Sequence, residues 1–143
     1  MALRISQKVE YALRAMLELA LRSDRSQVVR TAEIARAQRI PEKFLEVIVV
    51  ELRRAGLIVS QRGPIGGHGL AHGAEEISVG EIWRAIDGSI GDPPIKKNSN
   101  GTDPFRGVWN DVDCAISRVV DHVSLAEIRK RSEALKGVTD FNI

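Results

Sequence analysis

The chain has 143 residues, 43% of them hydrophobic, 28% charged and 4% aromatic, with a formal net charge of +2. That balance excludes dominant disorder, and no apolar run approaches the ~20 residues of a spanning helix, so no membrane role is expected. The opening Met-Ala-Leu-Arg-Ile-Ser lacks a secretory pattern and the single cysteine, Cys114, permits no internal disulfide, which predicts a reduced, cytoplasmic protein.

The length suits one compact domain, or a small domain carrying an oligomerisation arm. Charge divides unevenly: residues 1–72 carry +5 and residues 73–143 carry −3. The basic half is the one expected to meet a polyanion, although a solvated surface could hold the same asymmetry.

In chain order, Val9, Ala12, Leu13, Met16, Leu19 and Ala20 follow helical spacing, with Ser6 as N-cap and an end near Leu21. Ser23 to Ser26 reads as a loop, and Val28-Val29 as a short strand or core anchor. A second helix is predicted over Thr31 to Gln38 with Ile34 and Ala35 inward. A third begins at Pro41, where a missing N–H costs nothing, and stops at Gly56. Leu57 to Ser60 reads as a strand, Gln61 to Gly67 as a turn, and His68 to Ala71 as the returning strand of a hairpin. Ser78 and Glu81 form a capping box opening a fourth helix to Asp87. Residues 88–106, with three Gly and three Pro, form a long loop. A fifth helix is predicted from Gly107 to Val123, and Ser124 caps a sixth to about Lys136.

Two short helices, a tight turn, a third helix and a glycine-tipped hairpin follow the order of a winged helix-turn-helix. Around the third helix, Phe44, Leu45, Ile48, Val49 and Leu52 are assigned to the core, and Lys43, Glu46, Val47 and Val50 to the opposite side, free to enter a major groove. Lysine suits a phosphate or guanine, glutamate accepts from a cytosine amine, and valine touches thymine methyls. Arg62, beside Gly63 and Pro64, stands where a wing approaches the neighbouring minor groove. A phosphate loop built on Gly63, Gly66, Gly67 and Gly69 is rejected, because no Lys-Ser/Thr follows and no helix opens from it.

Tyr11-Ala-Leu-Arg-Ala, Glu33-Ile-Ala, Ile40-Pro-Glu-Lys-Phe-Leu-Glu46, Leu52-Arg-Arg-Ala-Gly-Leu57, Ser60-Gln-Arg-Gly-Pro-Ile-Gly-Gly67 and Ile77-Ser-Val-Gly-Glu-Ile82 resemble the Rrf-two (Rrf2) family of bacterial winged-helix regulators. The resemblance runs from Met1 to about Glu127, and the Ser-x-Arg-Gly-Pro-x-Gly-Gly string is its most specific part. It implies a mainly α fold with a small β-hairpin. Residues 1–87 would be a winged helix-turn-helix, 88–106 a sensor-region loop, and 107–143 a dimerisation helix with a C-terminal helix.

It also implies a homodimeric transcription factor, read here as a repressor of a pseudo-palindromic operator in double-stranded DNA. Carried over by position, Lys43, Glu46 and Val47 face bases, Arg62 with Gly66 and Gly67 forms the wing, and Arg4, Lys8 and Tyr11 lie near phosphates. Two positions depart from the pattern. His68 replaces the usual tyrosine, and Arg30 replaces a capping Ser or Thr, leaving Thr31 to take over the cap.

Many relatives hold an iron–sulfur cluster on three cysteines in the loop after the fourth helix. Here residues 88–106 contain neither cysteine nor histidine. A cluster needs thiolates with an occasional histidine, so no cofactor is expected. The resemblance then implies the cysteine-free branch, whose signal is an unidentified small-molecule or protein effector. His68 and His72 are read as a chance pair and no metal site is assigned, since glycines surround them. Cys114 is read as an incidental surface or interface cysteine, with redox sensing beside Arg118 as the alternative.

Val108, Val112, Ala115, Ile116, Val119 and Val123 form an apolar stripe on the fifth helix, with Trp109 and Val120 at its flanks. A second subunit would bury it in an isologous contact. The rival to a DNA reader is a winged-helix scaffold that binds another protein through Val47 and Val50. Enzymatic function finds no support, because Cys114 lacks a neighbouring histidine and no paired acids stand out.

Overall fold

The computed structural model of the protein describes residues 5–22, 28–64, 66–88 and 103–141, the last four through their backbone alone. Among the described residues, six helices and one two-stranded antiparallel sheet follow in the order α1 (Gln7–Leu21), α2 (Thr31–Gln38), α3 (Glu42–Arg54), β1 (Ile58–Gln61), β2 (Gly67–Leu70), α4 (Val79–Asp87), α5 (Arg106–Val120) and α6 (Leu125–Phe141). A 3-10 turn at Ala74–Glu76 precedes α4.

Helix α1 is the central strut. Ser6 caps it by accepting from the Val9 amide at 3.2 Å, and Val9, Ala12, Ala15, Met16, Leu19 and Ala20 are all buried. The alanines keep the cylinder narrow, so α2, α3, α4 and α6 all pack against it. Ile34, Ile40, Leu45, Ile48, Leu52, Leu57, Ile77, Ile82 and Leu125 fill the same core. Helix α6 returns to this core through Leu125, whose amide donates to the Ile77 carbonyl at 2.7 Å. Arg129 of α6 donates to the Ala20 carbonyl at 3.1 Å, placing a cation at the negative end of α1.

The turn between α2 and α3 is set by two residues. Arg39 takes a left-handed conformation at φ 54°, and Ile40, only 4% exposed, plugs the corner beneath it. Pro41 is the N-cap of α3 and Glu42 its first residue. Gly56, at φ 78°, turns the chain from α3 into the hairpin, where a side chain would be strained. The hairpin pairs Ile58 with Leu70, Val59 with Gly69, Ser60 with His68 and Gln61 with Gly67. A backbone bridge between Val29 and His68 fastens it to the segment entering α2.

Helix α5 ends at Val120, three residues before the predicted end. Asp121, its C-cap, is gripped by the two terminal guanidinium nitrogens of Arg84 at 2.7 and 2.8 Å. Gly80 makes room for that carboxylate, since a Cβ there would lie 1.9 Å from Asp121 Oδ1. The grip holds the Asp121 carboxyl below its usual range. Val123 therefore lies off the helix, and its carbonyl accepts from the Val79 amide at 2.9 Å.

Candidate nucleic-acid interface

The buried side of α3 is Leu45, Ile48, Val49 and Leu52. Lys43, Glu46 and Val47 are exposed on the other side, as expected, whereas Val50 is half-buried rather than free. Phe44 also departs from expectation: it is 58% exposed and outside the core. At 100° per residue it stands about 100° from Leu45, beyond the reach of a core centred there. Its ring meets Tyr11 of α1 instead, with centroids 6.3 Å apart and planes tilted by 57°.

Around this pair α1 supplies fixed polar groups. Gln7 donates to the Tyr11 hydroxyl at 2.8 Å, and the Arg14 guanidinium lies 5.5 Å from the Tyr11 ring centroid. Lys8, expected near phosphates, is paired with Glu51 of α3 at 2.6 Å. Arg4 and most of the 88–106 segment lie outside the described residues.

The wing places Arg62 in solvent at the end of β1. Gly66 and Gly67 serve its shape. A Cβ on Gly66 would meet the Gln61 carbonyl oxygen at 2.3 Å, and one on Gly67 would meet the Val29 carbonyl oxygen at 2.7 Å. Arg30 donates to the Pro64 carbonyl and so braces the wing tip.

Neither Arg30 nor Thr31 caps α2 through its side chain, contrary to the expected takeover by Thr31. The Thr31 hydroxyl is committed to His68 Nε2 at 2.8 Å, while Ser60 Oγ lies 2.7 Å from His68 Nδ1. One imidazole thus joins α2 to both wing strands, with hydroxyls that rotate to suit either tautomer. The departure of His68 from tyrosine is legible in the sequence, and Ser60 is its neighbour across the predicted hairpin, but Thr31 belongs to a distant segment that only the fold brings to it.

Burial, with repulsion from Arg53 second, holds His68 below the ordinary imidazole pKa. The unfolded chain therefore binds the proton first. This contribution is full above about pH 6.5 and is lost as pH falls from there toward the folded value. The melting temperature is expected to drop between about pH 7.5 and about pH 5.5, and by less in His68→Gln. Equal drops in both proteins would remove His68 as the source.

On α5, Val108, Trp109, Val112 and Val119 are 52%, 46%, 44% and 64% exposed. Ile116 instead packs with Val120 against the cluster of Val9 and Trp83. The expected stripe is therefore split between the chain's own core and solvent. Cys114 is exposed and free.

Residues 5–131 match the Rrf2 family, described as iron-dependent transcriptional regulators. The chain belongs to the Rrf2 family. An rrf2-like HTH-type regulator of Rhodobacter capsulatus is 38% identical over 121 residues, covering 83% of this chain and 80% of that protein. Among solved structures, IscR of T. potens superposes with a TM-score of 0.79 at 33% identity, covering 94% of this chain and 92% of that one. CymR, the global cysteine regulator of B. subtilis, gives 0.77 at 31% identity, covering 91% and 98%.

Rrf2 proteins are transcriptional regulators and not enzymes. The winged helix-turn-helix reading stands with this membership. Among the described residues no helix is long and apolar enough to cross a membrane. The iron in the family's description can be tested on the donor set of this chain. The 88–106 segment has neither cysteine nor histidine, and the one thiol, Cys114, lies on α5. No group of three His, Cys, Asp or Glu side chains able to hold a metal occurs among the described residues. These residues do not fit a thiolate-held cluster.

Proposed function

We propose that this Rrf2 protein is a homodimeric, sequence-specific DNA-binding repressor that acts in the cytoplasm without an iron–sulfur cluster. The observation that carries the reading is α3 with its core side buried and Lys43, Glu46 and Val47 outward, next to a wing that presents Arg62. In this reading residues 1–87 read DNA, α5 joins two subunits, and an effector acting near residues 88–106 alters the spacing of the two reading heads. Repression by occupying an operator needs only those two heads.

The test is fluorescence anisotropy with DNA from upstream of the protein's own gene, set against a scrambled duplex at fixed salt. A preference approaching about a thousandfold is expected. Glu46→Ala is expected to cost about 1–3 kcal/mol of discrimination and relax preference at one base pair. Arg62→Ala is expected to weaken all sequences and flatten the salt dependence by about one unit. Equal binding of both duplexes by wild type and variants would reject the proposal.

The exposure of Phe44 and Val47, 58% and 53%, favours one competing reading, a scaffold for another protein. Salt separates the two: counterion release makes DNA binding fall steeply with salt, and an apolar protein contact does not.

A further inference from the structure

A groove lies between α1 and α3. It is an open groove of about 540 Å³ lined by Gln7, Lys8, Tyr11, Lys43, Phe44 and Val47. Its floor is apolar, with Phe44 58% and Val47 53% exposed. Its rim is cationic. It carries Lys8 and Lys43, of which Lys43 makes no ion pair among the described residues; the Arg14 guanidinium, 5.5 Å from the Tyr11 ring centroid, lies beyond the groove lining.

An apolar floor inside a positive rim matches one edge of a DNA duplex. The C5-methyl of thymine projects into the major groove, and phosphates flank it on both sides. An apolar protein helix would match the floor and leave the cations facing nothing of opposite sign. The walls are also set in advance. Tyr11 is held by Gln7 at 2.8 Å and by its tilted contact with Phe44, and Lys8 is held by Glu51 at 2.6 Å. Little side-chain freedom is then lost on binding.

We propose that Phe44 and Val47 form a methyl-reading groove whose occupant is a thymine of the operator half-site. This rests on the DNA-binding reading above and adds to it the base class that the apolar half of α3 selects. Glu46, one helical step away, would read a hydrogen-bonding edge beside it.

The experiment has two stages. The full chain first enriches duplexes from a random-sequence pool. Each thymine of an enriched duplex is then replaced singly by deoxyuracil, which removes the methyl and leaves the base pair intact. At one position per half-site the wild type is expected to lose about fourfold in affinity, the worth of one buried carbon. In Phe44→Ala and Val47→Ala the ratio of affinities for the thymine and deoxyuracil duplexes is expected to fall to about one, whatever each variant's overall affinity. Both residues are exposed, so neither change threatens the fold.

A flat deoxyuracil scan, or methyl penalties that persist in both variants, would overturn the methyl-reading groove and leave DNA binding standing. Enrichment of no duplex at all would overturn both.

Discussion

Glutamate at Val112 and Val119 is expected to convert a dimer of twice the chain mass into a monomer and to cost about a hundredfold or more in operator affinity. The reason lies in how α5 divides its apolar residues. Ile116 and Val120 turn toward Trp83 and Val9 of the same chain. Val108, Val112 and Val119 turn away and stay about half exposed, at 52%, 44% and 64%. No residue of α5 is buried. In the proposed dimer this stripe, on a helix held by Arg84 and Asp121, would be buried against its own copy across a two-fold axis.

In the proposed dimer, two reading heads would bind two half-sites at an effective concentration set by their tether, which multiplies affinity by about 10²–10⁴. Splitting the dimer removes that factor. The glutamates point into solvent in the isolated chain, so helical circular dichroism and the melting temperature of the monomer should hold. Sedimentation velocity and anisotropy check both halves of the expectation. A wild type that already sediments as a monomer, or a double variant that remains a dimer, would sink the proposed seam.

Gly67→Ala is expected to destabilise the fold by about 1–3 kcal/mol, and Gly69→Ala, two residues along the same strand, by less than about 0.5 kcal/mol. At Gly67 a Cβ would lie 2.7, 2.8 and 3.0 Å from the carbonyl oxygen, carbonyl carbon and amide nitrogen of Val29. These are backbone atoms of a residue only 3% exposed, tied to His68 by two hydrogen bonds of 2.8 Å, so they cannot swing aside. At Gly69 nothing stands within 4 Å of a Cβ. The strain at Gly67 is relieved only by lifting the hairpin from Val29, which also pulls His68 from Thr31.

Loss of wing placement should then accompany loss of stability. For a chain of this size the melting temperature should fall by about 2–4 °C per kcal/mol. Thermal melts of the two variants beside wild type make the comparison, and equal melting temperatures would refute the packing account.

Local chemistry was readable along the chain. Ser6, Ser78 and Ser124 each accept from a backbone amide three residues on, and each stands where an apolar period begins. Gly56 ends α3, and α2 occupies the predicted span from Thr31 to Gln38. These features depend on neighbours within one helical turn, so sequence spacing is enough to place them. The family motif around Ser60 to Gly67 is legible for the same reason: its glycines answer a tight turn whose atoms are close in sequence.

Other features follow from which elements meet. Phe44 stands outside the α3 core side on helix geometry, and the placement of α1 decided that its ring meets Tyr11. Ile116 lies in the same periodic stripe as Val112, yet only the approach of Trp83 separates a residue used within the chain from one left outside. Thr31 was free to cap a helix until the hairpin brought His68 within 2.8 Å. By itself the sequence determined the six helices, the hairpin and the family, because caps, periodicity and turn residues act over a few bonds. The tertiary structure alone decided which apolar faces stay open and which polar groups brace the wing, because those energies depend on contacts between segments far apart in the chain.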